Sequence, residues 1–131
     1  MNNQELISQA KAVLSNSYSP YSNFKVAAAI LTENGIVYTG VNVENASYGA
    51  TICAERTAAV KAVSEGERKF IKIAIISSSG EFTYPCGICR QFLADFMDDA
   101  SEVILSNDKG EEKVFKFGEL IPGVFRGEDI K

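Results

Sequence analysis

Leu6, Ile7, Ala10, Val13 and Leu14 fall on one stripe of a 3.6-residue repeat, which predicts an amphipathic helix over 4–15. Pro20 stands in the turn-rich run 16–23 and blocks continuation. An apolar strand is predicted at about 25–32, and Glu33-Asn34-Gly35 is a good turn into a second strand over 36–43. A second helix is expected over 51–63, with Gly66 just beyond as a stop signal. The β-branched run 70–77 reads as a buried strand, and Pro85 opens a third helix over 86–97. Strands at 103–106 and, on an exposed edge, 114–117 complete the order α-β-β-α-β-α-β-β. An α/β fold follows, with helices packed on the faces of a five-stranded mixed sheet.

Composition narrows the function classes. With 131 residues, 46% hydrophobic and 23% charged, the chain suits one globular domain over 1–131, with no repeat, linker or low-complexity tract. The formal charge of −4 argues against a dominant phosphate-binding surface, so no nucleic-acid partner is expected. No apolar run approaches the roughly 20 residues that span a bilayer, and 1–5 lacks the basic and apolar stretches of a signal peptide. No membrane partner is expected. Three cysteines do not make a disulfide framework, which favours a reducing, cytoplasmic setting. The chain has no histidine, so Ser-His-Asp and Cys-His systems are excluded, and any metal must be held by Cys, Asp or Glu.

The cysteines are grouped. Cys53 lies in Cys53-Ala54-Glu55-Arg56 near the start of the second predicted helix, and Cys86 and Cys89 lie in Pro85-Cys86-Gly87-Ile88-Cys89-Arg90-Gln91 at the start of the third. Unpaired N–H groups and the helix dipole stabilise negative charge at such positions, which favours thiolates and therefore metal ligation. Three thiolates around a tetrahedral zinc leave one open position, the pattern of a catalytic rather than a structural site. Glu55 can serve there as a carboxylate that does not bind the metal. Arg56 leans back toward Cys53 to offset sulfur charge, and Arg90 stands in a similar relation to Cys86. Taken alone, Cys53 is equally well a small core residue, and Cys86–Cys89 has the spacing of a thioredoxin-like redox pair. The proline before Cys86, the absence of tryptophan and the separate Cys-Ala-Glu segment favour the metal-hydrolytic reading.

Together with Thr51-Ile52 ahead of Cys53, the segments 21–26, 40–49 and 120–125 extend the pattern over most of the chain. On these residues the chain resembles the cytidine deaminases, of the short tetrameric type found in bacteria and animals. Zinc deaminases include an all-cysteine variant with a separate Glu. The resemblance implies a three-layer α/β/α fold, one Zn²⁺ per chain on Cys53, Cys86 and Cys89, and Glu55 as the proton-transferring residue. It further implies that Asn42 and Glu44 bind the ribose hydroxyls and that Phe24 packs on the pyrimidine. The backbone at Ala54 and Cys86 orients the exocyclic group, while Arg56 and Gln91 stand behind the ligands. Tyr48 and Phe125 resemble residues that reach a neighbouring subunit's site in a homotetramer. The implied reaction is hydrolytic deamination of cytidine and 2′-deoxycytidine in pyrimidine salvage. One departure is Ala27, where the family commonly has Gly; its methyl group is expected to narrow the space beside the base.

Overall fold

The computed structural model describes residues 1–130. Helix α1 (Asn3–Val13) begins where the Asn2 side chain accepts from the Glu5 N–H at 2.8 Å. Strands β1 (Val26–Thr32) and β2 (Val37–Val41) form the expected hairpin, with Gly35 at φ 80° in its turn. There follow α2 (Ala54–Ser64), β3 (Phe70–Ser77), α3 (Gly87–Leu93), β4 (Glu102–Ser106), β5 (Glu112–Lys116) and a short α4 (Phe117–Leu120). The sheet order is β2-β1-β3-β4-β5; β3 and β4 run parallel and the other neighbours antiparallel.

Alternation along β1 and β3 divides the interior into two layers. Val26, Ala28, Ile30, Ile73 and Ile75 face α2 and α3, where Ala54, Ala58, Ala59, Ala62 and Leu93, with Met97 just beyond α3, complete the larger core. Ala27, Ala29, Ala74, Ile76 and Ile104 face the other way and pack on Leu6, Ile7 and Ala10 of α1. The small side chains of α2 let its backbone lie against the sheet. At Gly40, paired with Ala28, a Cβ would stand 2.4 Å from the Ala58 nitrogen and 2.7 Å from the Ala54 oxygen. Glycine is required there by close approach, not by its dihedral angles.

Two helices are shorter than their sequence pattern predicts. Helix α2 starts at Ala54 because Ile52 is extended and exchanges backbone hydrogen bonds of 2.9 Å with Val43, which makes Cys53 the N-cap. Helix α3 ends at Leu93 because the chain turns there, and the Phe96 carbonyl accepts from the Phe70 N–H at the start of β3. At the far edge Phe117 leaves the sheet, its N–H donating to the Ser101 carbonyl at 2.7 Å while its ring is buried. Ala27 also corrects an expectation. It lies in the α1 layer, on the sheet face opposite α2, so its methyl group does not crowd the cysteines' side of the fold. Among the described residues no helix is long and apolar enough to cross a membrane.

Candidate active site

Two helices start on the same side of the sheet and present their N-termini together. Cys53 is the N-cap of α2, Cys86 is the N-cap of α3, and Cys89 lies in the first turn of α3. Their three sulfurs lie within 4.8 Å of one another, with Cys53 and Cys86 only 3.8 Å apart. Cys89 is buried, Cys53 partly so, and Cys86 is exposed, so the cluster opens outward past Cys86. Two sulfurs at about 2.3 Å from one tetrahedral zinc stand about 3.8 Å apart, the spacing of the Cys53–Cys86 pair. Sulfur-only donors also suit zinc among the common divalent ions.

The surrounding charges suit a cation as well. Hydrogen bonding from the Cys89 thiol, and then the Arg56 guanidinium, bring the Cys53 thiol down to about 5 against the opposing effect of burial. Cys89 is pushed up by its hydrogen bond to Cys53, by burial and by the Glu55 charge. Arg56 donates from Nη2 to the Thr51 carbonyl at 3.4 Å and to the Cys53 sulfur at 3.7 Å, while its buried Nε has no partner among the described residues. Glu55 is 4% exposed, beside these sulfurs in the first turn of α2. Burial, and then the charge at Cys53, raise its carboxyl to about 7. A carboxyl poised there can take and return a proton at neutral pH.

A second group of residues forms the rim. Glu44 lines a cavity of about 430 Å³ with Tyr21, Ser22, Tyr48 and Thr51. Its carboxylate accepts from the N–H groups of Tyr21 at 2.9 Å and Ser22 at 3.1 Å, and from the Ser22 hydroxyl. The Ser22 hydroxyl is the main reason its carboxyl sits below the ordinary range. Tyr48 is 74% exposed and meets Tyr21 edge to face at 5.9 Å. Asn42 is buried, and most of its amide is used within the chain. Its Oδ1 accepts from the Val26 N–H at 2.9 Å and from the Ser17 hydroxyl, and its Nδ2 donates to the Phe24 carbonyl at 2.8 Å. One Nδ2 hydrogen remains, and Asn42 thereby holds Phe24, which is 39% exposed at the surface.

Sequence reasoning passed over Tyr21 and Ser22 as individual site residues. The signal that marks them is the tight turn 20–23, closed by Asn23 at φ 57°. Arg90 also behaves otherwise than its spacing from Cys86 suggested. It donates to the Pro85 carbonyl at 2.8 Å and to the Leu120 carbonyl at 2.6 Å, tying α3 to the C-terminal segment. Gln91 likewise turns from the sulfurs and donates from Nε2 to the Phe125 carbonyl at 2.7 Å. Phe125 itself is 57% exposed and stands away from this chain's core.

The chain and its fold match known proteins. The family described as cytidine and deoxycytidylate deaminase zinc-binding region matches residues 1–106. The cytidine deaminase of Halalkalibacterium halodurans is 44% identical over 130 residues, covering 99% of this chain and 98% of that protein. The probable cytidine deaminase of Dictyostelium discoideum is 46% identical, over 99% of this chain and 90% of its own length. Among solved structures, the cytidine deaminase of Burkholderia pseudomallei superposes with a TM-score of 0.90 at 44% identity, covering 95% of this chain and all of that one. Near-complete coverage in both sequence and structure leaves one conclusion: the chain belongs to the zinc-binding cytidine and deoxycytidylate deaminase family.

Proposed function

We propose that this chain, acting as one catalytic domain over 1–131, converts cytidine and 2′-deoxycytidine to uridine and 2′-deoxyuridine by hydrolysis of the exocyclic C–N bond. The observation that carries this reading is the buried Glu55 carboxyl beside three clustered sulfurs at the meeting point of two helix N-termini. Cys53, Cys86 and Cys89 would hold one Zn²⁺, which supplies Lewis acidity and an activated water at neutral pH. Glu55 takes a proton from the attacking water and delivers it to ring N3, which makes C4 electrophilic. It then passes the second water proton to the 4-amino group, so that water and substrate leave as the uracil nucleoside and ammonia. Exclusion of solvent around Glu55 keeps each proton on this path.

The remaining residues bind and orient. Arg56 counters the charge of the sulfurs and fixes Cys53. The backbone at Ala54 and Cys86 addresses the exocyclic group at C4. Glu44 and the free Nδ2 hydrogen of Asn42 take the ribose hydroxyls, and Phe24 packs on the base. Tyr48 and Phe125 complete the site of a neighbouring copy in a homotetramer, a reading supported by their outward-facing rings. Nucleoside salvage in the cytoplasm is the setting this activity fits.

Metal content and turnover test the reading together. Reduced, purified protein is expected to carry one zinc per chain and to lower the cytidine absorbance band with stoichiometric ammonia release. Neither zinc nor turnover, with a reversible Cys86–Cys89 disulfide instead, would transfer the site to redox chemistry. Cys89→Ala is expected to lose both zinc and activity, since it removes the buried member of the ligand set; zinc analysis at one per chain in that variant would strike Cys89 from the ligands. Dilution below the assembly constant is expected to reduce specific activity in parallel with dissociation seen by sedimentation. Full activity in a monomer would remove Tyr48 and Phe125 from the site.

A further inference from the structure

We propose that Gln91, together with the Arg126–Asp99 pair, is a positioning clamp that sets where Phe125 stands for a neighbouring copy; this rests on the role given to Phe125 above. The run 121–126 belongs to neither helix nor sheet and is tied to α3 through Gln91. Ile121 and Val124 pack against the larger core and hold the run down, but they do not fix the peptide that bears Phe125. That peptide is fixed from both sides. The Gln91 amide donates to the Phe125 carbonyl at 2.7 Å. At the next residue the Arg126 guanidinium donates to the Ala94 carbonyl and to the Met97 carbonyl at 3.2 Å, and pairs with Asp99 at 3.0 Å.

With 57% of its surface exposed, Phe125 is not held in one direction by burial in this chain's core. Its backbone must set that direction, and two side-chain holds on consecutive residues restrict that backbone at little entropic cost. Gln91 is two residues beyond Cys89 on α3. The helix that presents two sulfurs to this chain's own site therefore also aims a ring at another's. One rigid element serves two sites, and the spacing between them is built into α3.

Gln91→Met keeps the length of the side chain and removes its amide donor. Cytidine KM is expected to rise about fivefold, the cost of roughly one neutral hydrogen bond, while kcat changes by less than about twofold. Zinc content and assembly state should be unchanged. In a Phe125→Ala background the same substitution should leave KM nearly where Phe125→Ala alone puts it, because the clamp then holds nothing. Arg126→Met is the second variant, should Gln91→Met fold poorly, and the same KM shift is expected from it. If Phe125→Ala raises KM and neither clamp variant does, the clamp is overturned and the role of Phe125 stands. If Phe125→Ala leaves KM unmoved, both fall. An equal effect of Gln91→Met in both backgrounds, or loss of zinc, assigns Gln91 to another task and overturns the clamp.

Discussion

Glu55→Gln is expected to bind zinc as fully as the parent chain and to lose about 10⁴-fold or more in kcat. The size follows from the number of proton movements routed through one carboxyl. General acid–base catalysis by a placed side chain contributes about 10²–10⁴-fold, and in the proposed reaction Glu55 serves both the addition of water and the departure of ammonia. Gln has nearly the same shape, so neither the α2 terminus nor the sulfur cluster needs to move. Thermal stability should not fall, since a neutral amide replaces a carboxyl that burial already pushes up to about 7. Zinc analysis, a melting curve and single-turnover deamination of cytidine check all three parts. Turnover within tenfold of the parent would show that the protons travel by another route.

A second large effect is expected from a residue that touches no substrate. Gly40→Ala places a methyl group within 2.4 Å of the Ala58 nitrogen and 2.7 Å of the Ala54 oxygen. Both are main-chain atoms of α2, so no side chain can swing aside. The helix must lift from β2, and its first turn carries Glu55 directly after the Cys53 cap. A loss of about 3 kcal/mol in stability is expected from the overpacking. A fall of about 100-fold in kcat/KM should accompany it, as expected for a displacement near 1 Å of reacting groups. Gly127→Ala is the control, because a Cβ there meets nothing within 4 Å and its change should stay within about 0.5 kcal/mol. Denaturant melts and zinc titration of both variants decide it. Gly40→Ala with the control's stability and full zinc affinity would mean that α2 does not lie as close to β2 as described.

Much of this architecture was legible because the local pattern and the tertiary environment agree. The run 70–77 is β-branched, continuous and bounded, and β3 occupies those residues. The site was legible in its sulfur set because cysteine is rare here and the chain has no histidine to compete. Where reading failed, the deciding contact lay far along the chain. Thr51 and Ile52 tolerate helix, but pairing of Ile52 with Val43 keeps them extended. Ala27, Ala28 and Ala29 are all fully buried, so no alternation of polarity told which face Ala27 takes. Arg90 stands four residues after Cys86, at helical spacing, yet the Leu120 carbonyl thirty residues away claims it, as the Phe125 carbonyl claims Gln91. Gly40 looks like any strand glycine until α2 passes over it.

The sulfur cluster joins positions 33 residues apart, with α2 and β3 inside the enclosed loop. An ion gripped by Cys53 and Cys86 is therefore a staple in the chain as well as a reagent. Closing a loop of that length removes about 4 kcal/mol of freedom from the unfolded chain in the entropic account of cross-links. A disulfide would do the same only under oxidising conditions, whereas thiolates holding a metal act as a cross-link in a reducing one. Loss of the ion would thus silence the enzyme and loosen the segment that carries Glu55 in a single event, so that emptied chains become the ones a protease finds first.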